Sequence, residues 1–168
     1  TFTNALLSEP VLKADRVVIL EDTRELKCAA QNAVSLRTHH GRIDLTDLVR
    51  STMRLRPDRI VVGEVRGPEA LDLLKAWNTG HPGGITTLHA NSARAALERL
   101  EQLTLEATNT APCALIAEAI DVVVFMSRSG GQRRVEDALR VTGFDGGGYV
   151  TEPLLSRSLS LVTKGDTI

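Results

Sequence analysis

"RIVVGEVRG", residues 59–67, begins as a buried strand and ends in charge. Ile60, Val61 and Val62 form a short continuous apolar run, the pattern of a parallel strand covered on both faces. Gly63, Glu64, Val65, Arg66 and Gly67 follow at once. A carboxylate and a guanidinium at the tip of a core strand call for a chemical reason.

The flanking sequence alternates between two periods. "RVVIL" (16–20) reads as an apolar strand and "AVSLR" (33–37) as a weaker one. "LTDLVRSTMRLR" (45–56) carries Leu45, Leu48, Val49 and Met53 at helical spacing and stops before Pro57. After the opening strand, "PEALDLLKAWN" (68–78) has Pro68 at a helix start and Gly80 just past its end. "GITTLHA" (84–90) is a further strand, and "SARAALERLEQLTLEA" (92–107) an amphipathic helix capped by Ser92. A short helix over 112–119 and a core strand "DVVVFM" (121–126) come next. Strands alternating with helices predict a mostly parallel sheet flanked by helices. "RRVEDALRVTGF" and "GGGYVTEPLL" predict antiparallel β additions joined by a glycine turn. "TFTNALLSEP" at the beginning predicts a helix ended by Pro10.

Composition bounds the function. The 168 residues fit one domain, and 20 basic against 21 acidic side chains leave no basic stripe for nucleic acid. Cys28 and Cys113 share no metal or redox spacing and read as two reduced cysteines. No apolar stretch approaches the ~18–20 residues of a membrane span, so any membrane association is expected to be peripheral. His39 and His40 sit in a loop without further spaced ligands, and His81 in "NTGHPGG" reads first as a shaper of a turn. Trp77, the only tryptophan, is expected to pack a helix against the sheet.

In an open α/β sheet, ligands bind outside the carboxyl ends of the strands. Three strands end in polar groups there: Glu21-Asp22 after "VVIL", Glu64 and Arg66 after "RIVV", and His89 and Asn91 after "TTL". Each alone has a plain explanation as solvated loop, helix cap or structural histidine. Together, two carboxylate clusters, an arginine and a histidine suit Mg²⁺-assisted phosphoryl transfer.

"LEDTREL" (20–26), "RPDRIVVGEVRGPEALDLLKAWNTGHPGG" (56–84) and "TTLHANSARAALERLEQL" (86–103) resemble the secretion ATPases of type IV systems, most of all the TrbB-type conjugal-transfer branch. In that family the blocks are the Asp box, the Walker B segment and the His box. The resemblance implies a RecA-like P-loop core and a Mg²⁺-dependent ATPase forming a homo-hexamer. It also implies a cytoplasmic location, peripheral at the inner membrane, with other secretion ATPases and inner-membrane channel components as partners. Such motors drive pilus assembly and the transfer of DNA or protein. By position, Glu64 would orient the lytic water, Glu64 and Glu21 would hold Mg²⁺ through its waters, and Asp22 would support them. His89 would sense the γ-phosphate, Arg66 would pair with a carboxylate, and Gly63 would let the strand turn tightly.

No G-x-x-x-x-G-K-[ST] occurs, and the glycine clusters at 130–131 and 146–148 lack the lysine and read as turns rather than phosphate cradles. In the family such a motif stands immediately before a segment like "TFTNALL". Thr1 is therefore expected to be the threonine of that motif or its neighbour, and the chain a single RecA-like domain truncated just after the phosphate-binding loop. Other readings stay open: the ATPase of a tight-adherence, type IV pilus or type II secretion system, a catalytically inactive ring scaffold, or a recombinase on the same fold. "EDTREL", without a proline after "ED", argues against the type II and retraction branch, and the charge balance argues against the recombinase.

Overall fold

The computed structural model describes residues 1–129 and 131–155. The opening stretch forms β3 (Arg59–Val62), the centre of a parallel sheet with β1 (Arg16–Glu21), β2 (Asn32–Arg37) and β4 (Ile85–Thr86), in the order β2-β1-β3-β4. Leu20 lies opposite Leu36 and Val62, and Val62 opposite Thr86, so all four strands run to one carboxyl edge.

Both faces are covered, as the unbroken apolar runs require. Val18, Leu20, Ile60 and Val62 face a large cluster with α2 (Leu45–Thr52), α3 (Glu69–Asn78), α4 (Ala93–Thr104) and α5 (Cys113–Ala119). Val17, Ile19 and Val61 face Leu7, Leu12, Leu26 and Cys28 on the other side, where α1 (Phe2–Leu6) and the 26–30 segment run. Capping follows the sequence: Ser92 Oγ accepts the Ala95 N–H at 3.0 Å, and Asp44 and Asp47 form a reciprocal capping box on α2. Arg56, ahead of Pro57, ends the helical turn in the left-handed region at φ 52°, outside the αR conformation that a following proline disfavours. His81 donates from Nδ1 to the Pro57 carbonyl at 2.7 Å, which ties the Gly/Pro-rich turn to this bend.

Two expectations are corrected. "DVVVFM" does not enter the parallel sheet. It begins β5 (Val122–Ser129) in a separate antiparallel sheet with β6 (Gln132–Phe144) and β7 (Tyr149–Pro153). An apolar run fits either kind of sheet, and here it pairs with the meander that follows it, leaving Val122 and Val124 exposed. The expected strand 84–90 pairs in regular register only over Ile85–Thr86, because β3 stops at Val62 and the chain bends at Gly63, leaving only irregular bonds to Thr87 beyond. His89 thus stands on an extended loop rather than at a strand tip. β4 and β5 are edge strands of their two sheets, and a groove of about 860 Å³ opens between them, lined by Phe2, Thr87, Leu88, Val122 and Val124 among others.

Trp77 packs α3 on β3 and donates from Nε1 to the Ile60 carbonyl at 3.1 Å. Gly84 makes this possible: a Cβ there would lie 2.0 Å from Trp77 Nε1 and 2.6 Å from the Ile60 oxygen. Backbone cannot yield as a flexible side chain can, so Gly84→Ala should cost about 1–3 kcal/mol of stability. Gly143, with open space where its Cβ would be, should change by less than ~0.5 kcal/mol on the same substitution. Urea unfolding of the two variants beside the parent checks this contrast.

Candidate active site

The parallel register places the ends of β1 and β3 side by side. The Gly63 N–H donates to the Leu20 carbonyl at 2.8 Å, and a Cβ on Gly63 would lie 3.3 Å from Glu21 Cγ. The chain bends at Gly63 without a positive φ, and the missing Cβ lets it pass close over the Glu21 side chain.

Glu21 is only 3 % exposed. Its Oε1 accepts the N–H groups of Glu25 and Leu26, each at 2.8 Å, which folds the loop after β1 back onto the strand. Its Oε2 is buried and has no hydrogen-bond partner among the described residues. A buried carboxylate oxygen without a donor is costly, which marks it as an acceptor for something further.

Glu64 lies between Arg66 and His89. Arg66 donates from Nη2 to its Oε2 at 2.5 Å, and His89 Nε2 stands 3.2 Å from its Oε1. The hydrogen bond from Arg66 leads in holding the Glu64 carboxyl below its ordinary value; burial opposes this, and the charges of Arg66 and His89 add to it. Glu64 in turn raises the Arg66 guanidinium, with smaller contributions from Asp22 and Glu69. Asp22 accepts from Thr38 Oγ1 at 2.9 Å. The His89 side chain is 95 % exposed, which removes the reading of a buried structural histidine. Thr1 stands apart: its Oγ1 accepts the Asn4 N–H and so caps α1, whose Phe2 and Thr3 line the same groove as Thr87 and His89.

Two residues escaped the sequence reading. Thr87 grips the Glu64 loop, its Oγ1 donating to the Gly63 carbonyl at 2.7 Å and its own carbonyl accepting the Val65 N–H at 2.9 Å. Glu69 accepts the N–H groups of Arg66 and Gly67 through Oε1. An acid in the first turn of a helix reads as complementing the helix dipole, so nothing at Glu69 distinguished it in advance. A polar cleft of about 580 Å³ adjoins this loop, between Asp22, Thr38, the 39–44 turn, Arg66 and Glu69.

Carboxylates and a histidine on the carboxyl edge of a parallel sheet can serve phosphoryl transfer. The family model described as "Type II/IV secretion system protein" matches residues 1–135. The chain belongs to this family. It is 55 % identical over 154 residues to the conjugal transfer protein TrbB of Rhizobium radiobacter, an alignment covering 90 % of this chain and 47 % of that protein. It is 40 % identical over 153 residues to the type IV secretion system protein PtlH of Bordetella pertussis, covering 82 % and 45 % respectively. The chain spans about half the length of the curated relatives it matches. Among solved structures, the Brucella suis VirB11 ATPase of a type IV secretion system, crystallised with sulphate, superposes with a TM-score of 0.70 at 29 % identity, covering 76 % of this chain and 40 % of that one. The pilus retraction motor PilT with bound ADP shares the fold, at a TM-score of 0.56 and 21 % identity, over 89 % of this chain and 39 % of that one. The chain is thus TrbB-like within a family of secretion ATPases.

The lowered Glu64 value sets a pH dependence. A depressed carboxyl adds stability at pH above its ordinary value of 4.5, and this is lost as pH falls through the folded value. Arg66→Ala should move the Glu64 titration upward and remove that contribution. A ¹³C-detected titration of the Glu64 carboxyl in parent and variant checks it: an unmoved midpoint would show that Arg66 does not control Glu64.

Proposed function

We propose that this chain carries the hydrolytic edge of a Mg²⁺-dependent ATPase, the motor of a type IV secretion or conjugation apparatus that powers pilus assembly and substrate transfer. The observation that supports it is the meeting of Glu64, His89 and buried Glu21 at one strand edge, in a chain of this family.

The donor set fits magnesium. Mg²⁺ keeps several waters and needs only one or two carboxylates beside the phosphates, rather than a protein cage. The described residues hold no group of three or more His, Cys, Asp or Glu arranged as a metal cage, while the unpartnered Glu21 Oε2 is a buried acceptor suited to a metal-bound water. When bound, Mg²⁺ offsets charge on the phosphoryl oxygens. Everything else falls to the chain. Glu64, ionised at neutral pH and paired with Arg66, orients the attacking water and accepts its proton once one of its two oxygens is released. Arg66 is the group that releases it, and its exposed guanidinium is then free for phosphate oxygens. His89, on its extended loop, contacts the γ-phosphate, while Asp22 supports the acidic edge and Thr1 lies by the phosphates.

A phosphate cradle is needed to complete this site, and residues 1–168 contain no G-x-x-x-x-G-K-[ST]. A homo-hexameric ring, contacts with other secretion ATPases and channel components, and a peripheral place at the cytoplasmic face of the inner membrane belong to the same reading. No helix among the described residues is long and apolar enough to cross a membrane.

Glu64→Gln tests the assignment, in a protein that joins this segment to a phosphate-binding loop. Nucleotide binding should survive, and turnover should fall about 10²–10⁴-fold, or ~3–5 kcal/mol of barrier. Near-normal turnover would move the catalytic role to Glu21.

A further inference from the structure

Glu69 is an odd acid to find at the start of a helix. It is 6 % exposed, although first-turn acids that merely complement a helix dipole can do so from solvent. Pro68, which precedes it, provides no side-chain cap for α3. Instead Glu69 reaches back across the proline, and one oxygen takes two successive N–H groups, from Arg66 at 2.8 Å and Gly67 at 3.0 Å. Its other oxygen packs close against the glycine at 67: a Cβ there would lie 3.1 Å from Glu69 Oε2 and 3.4 Å from Glu106 Oε2.

The consequence falls on the loop. Thr87 pins Gly63 and Val65 from one side, and Glu69 pins Arg66 and Gly67 from the other. Glu64 stands between the pins, and Arg66 reaches it from a peptide unit that Glu69 holds. We propose that Glu69 is the positioning residue of this site, fixing the backbone from which Arg66 is aimed at Glu64. Its bearing on turnover rests on the ATPase reading; the placement itself does not.

Two substitutions separate positioning from simple support of the helix start. Glu69→Gln loses the charge but keeps an acceptor oxygen at the same reach. Glu69→Asp keeps a first-turn charge but shortens the reach by one methylene. In the 168-residue chain, NMR reads two signals without nucleotide: hydrogen exchange at the Arg66 and Gly67 amides, and the guanidinium resonances of Arg66, slowed in rotation by the Glu64 pair. Positioning predicts that Glu69→Gln keeps both as in the parent. In Glu69→Asp, exchange at the two amides should rise about tenfold and the Arg66 signals should become those of a free side chain. Asp72→Ala, on the same helix and paired with Arg50 instead, should leave both unchanged. The opposite order, with Asp tolerated and Gln not, would assign Glu69 to the helix dipole, and any pattern other than the one predicted overturns the proposal. Absence of ATP hydrolysis in the parent joined to a phosphate-binding loop would instead remove the ATPase reading and leave the placement standing.

Discussion

The close passage of β3 over β1 is the constraint on which the rest of the site depends. With Leu20 opposite Val62, the Gly63 N–H closes on Leu20, and a Cβ at residue 63 would press on Glu21 Cγ at 3.3 Å. Glu21 is thereby sealed from solvent, and Glu64 is delivered to the same edge one residue later. Burial of a carboxylate must be compensated by donors. Here one oxygen is satisfied by two loop amides and the other is left open, so the sheet register creates an unmet demand for a donor where the charged side chains converge.

A second consequence is that Glu64 rests in a paired state. Arg66 and His89 occupy one oxygen each, and the loop bearing Glu64 is held through backbone bonds to Thr87 and Glu69. The rigid part of the site is therefore the loop, and the movable part is the long exposed guanidinium with the exposed imidazole. Preorganised backbone with adjustable side-chain partners is an arrangement in which phosphate oxygens can compete for Arg66 without the loop having to refold.

Much of this was legible in residues 59–67 and their neighbours. Continuous apolar runs in Val17–Leu20 and Ile60–Val62 demand cover on both faces, and the two core clusters provide it. The polar ends of β1 and β3 were readable because parallel strands share a carboxyl edge. What failed was the fate of apolar runs whose partners are set by topology. Val122–Met126 looks like a core strand, yet it pairs with β6, and only the three-dimensional order distinguishes the two. His89 ran past its strand for a related reason, since the length of β4 is set by where β3 turns away. The pins were invisible for another reason: side-chain to backbone bonds such as those of Thr87 and Glu69 leave no periodic trace. At Gly63 the structure adds to the expected turn a close approach to Glu21 that no sequence pattern signals.

Replacing Mg²⁺ by Mn²⁺ tests the central claim most directly, in a protein that joins this segment to a phosphate-binding loop. Paramagnetic broadening on addition of Mn²⁺ and ATP should fall first on Glu21, Glu64 and the Gly63 amide, at the carboxyl ends of β1 and β3. Broadening centred on the β5–β7 sheet, with those three signals intact, would contradict a nucleotide site at this edge.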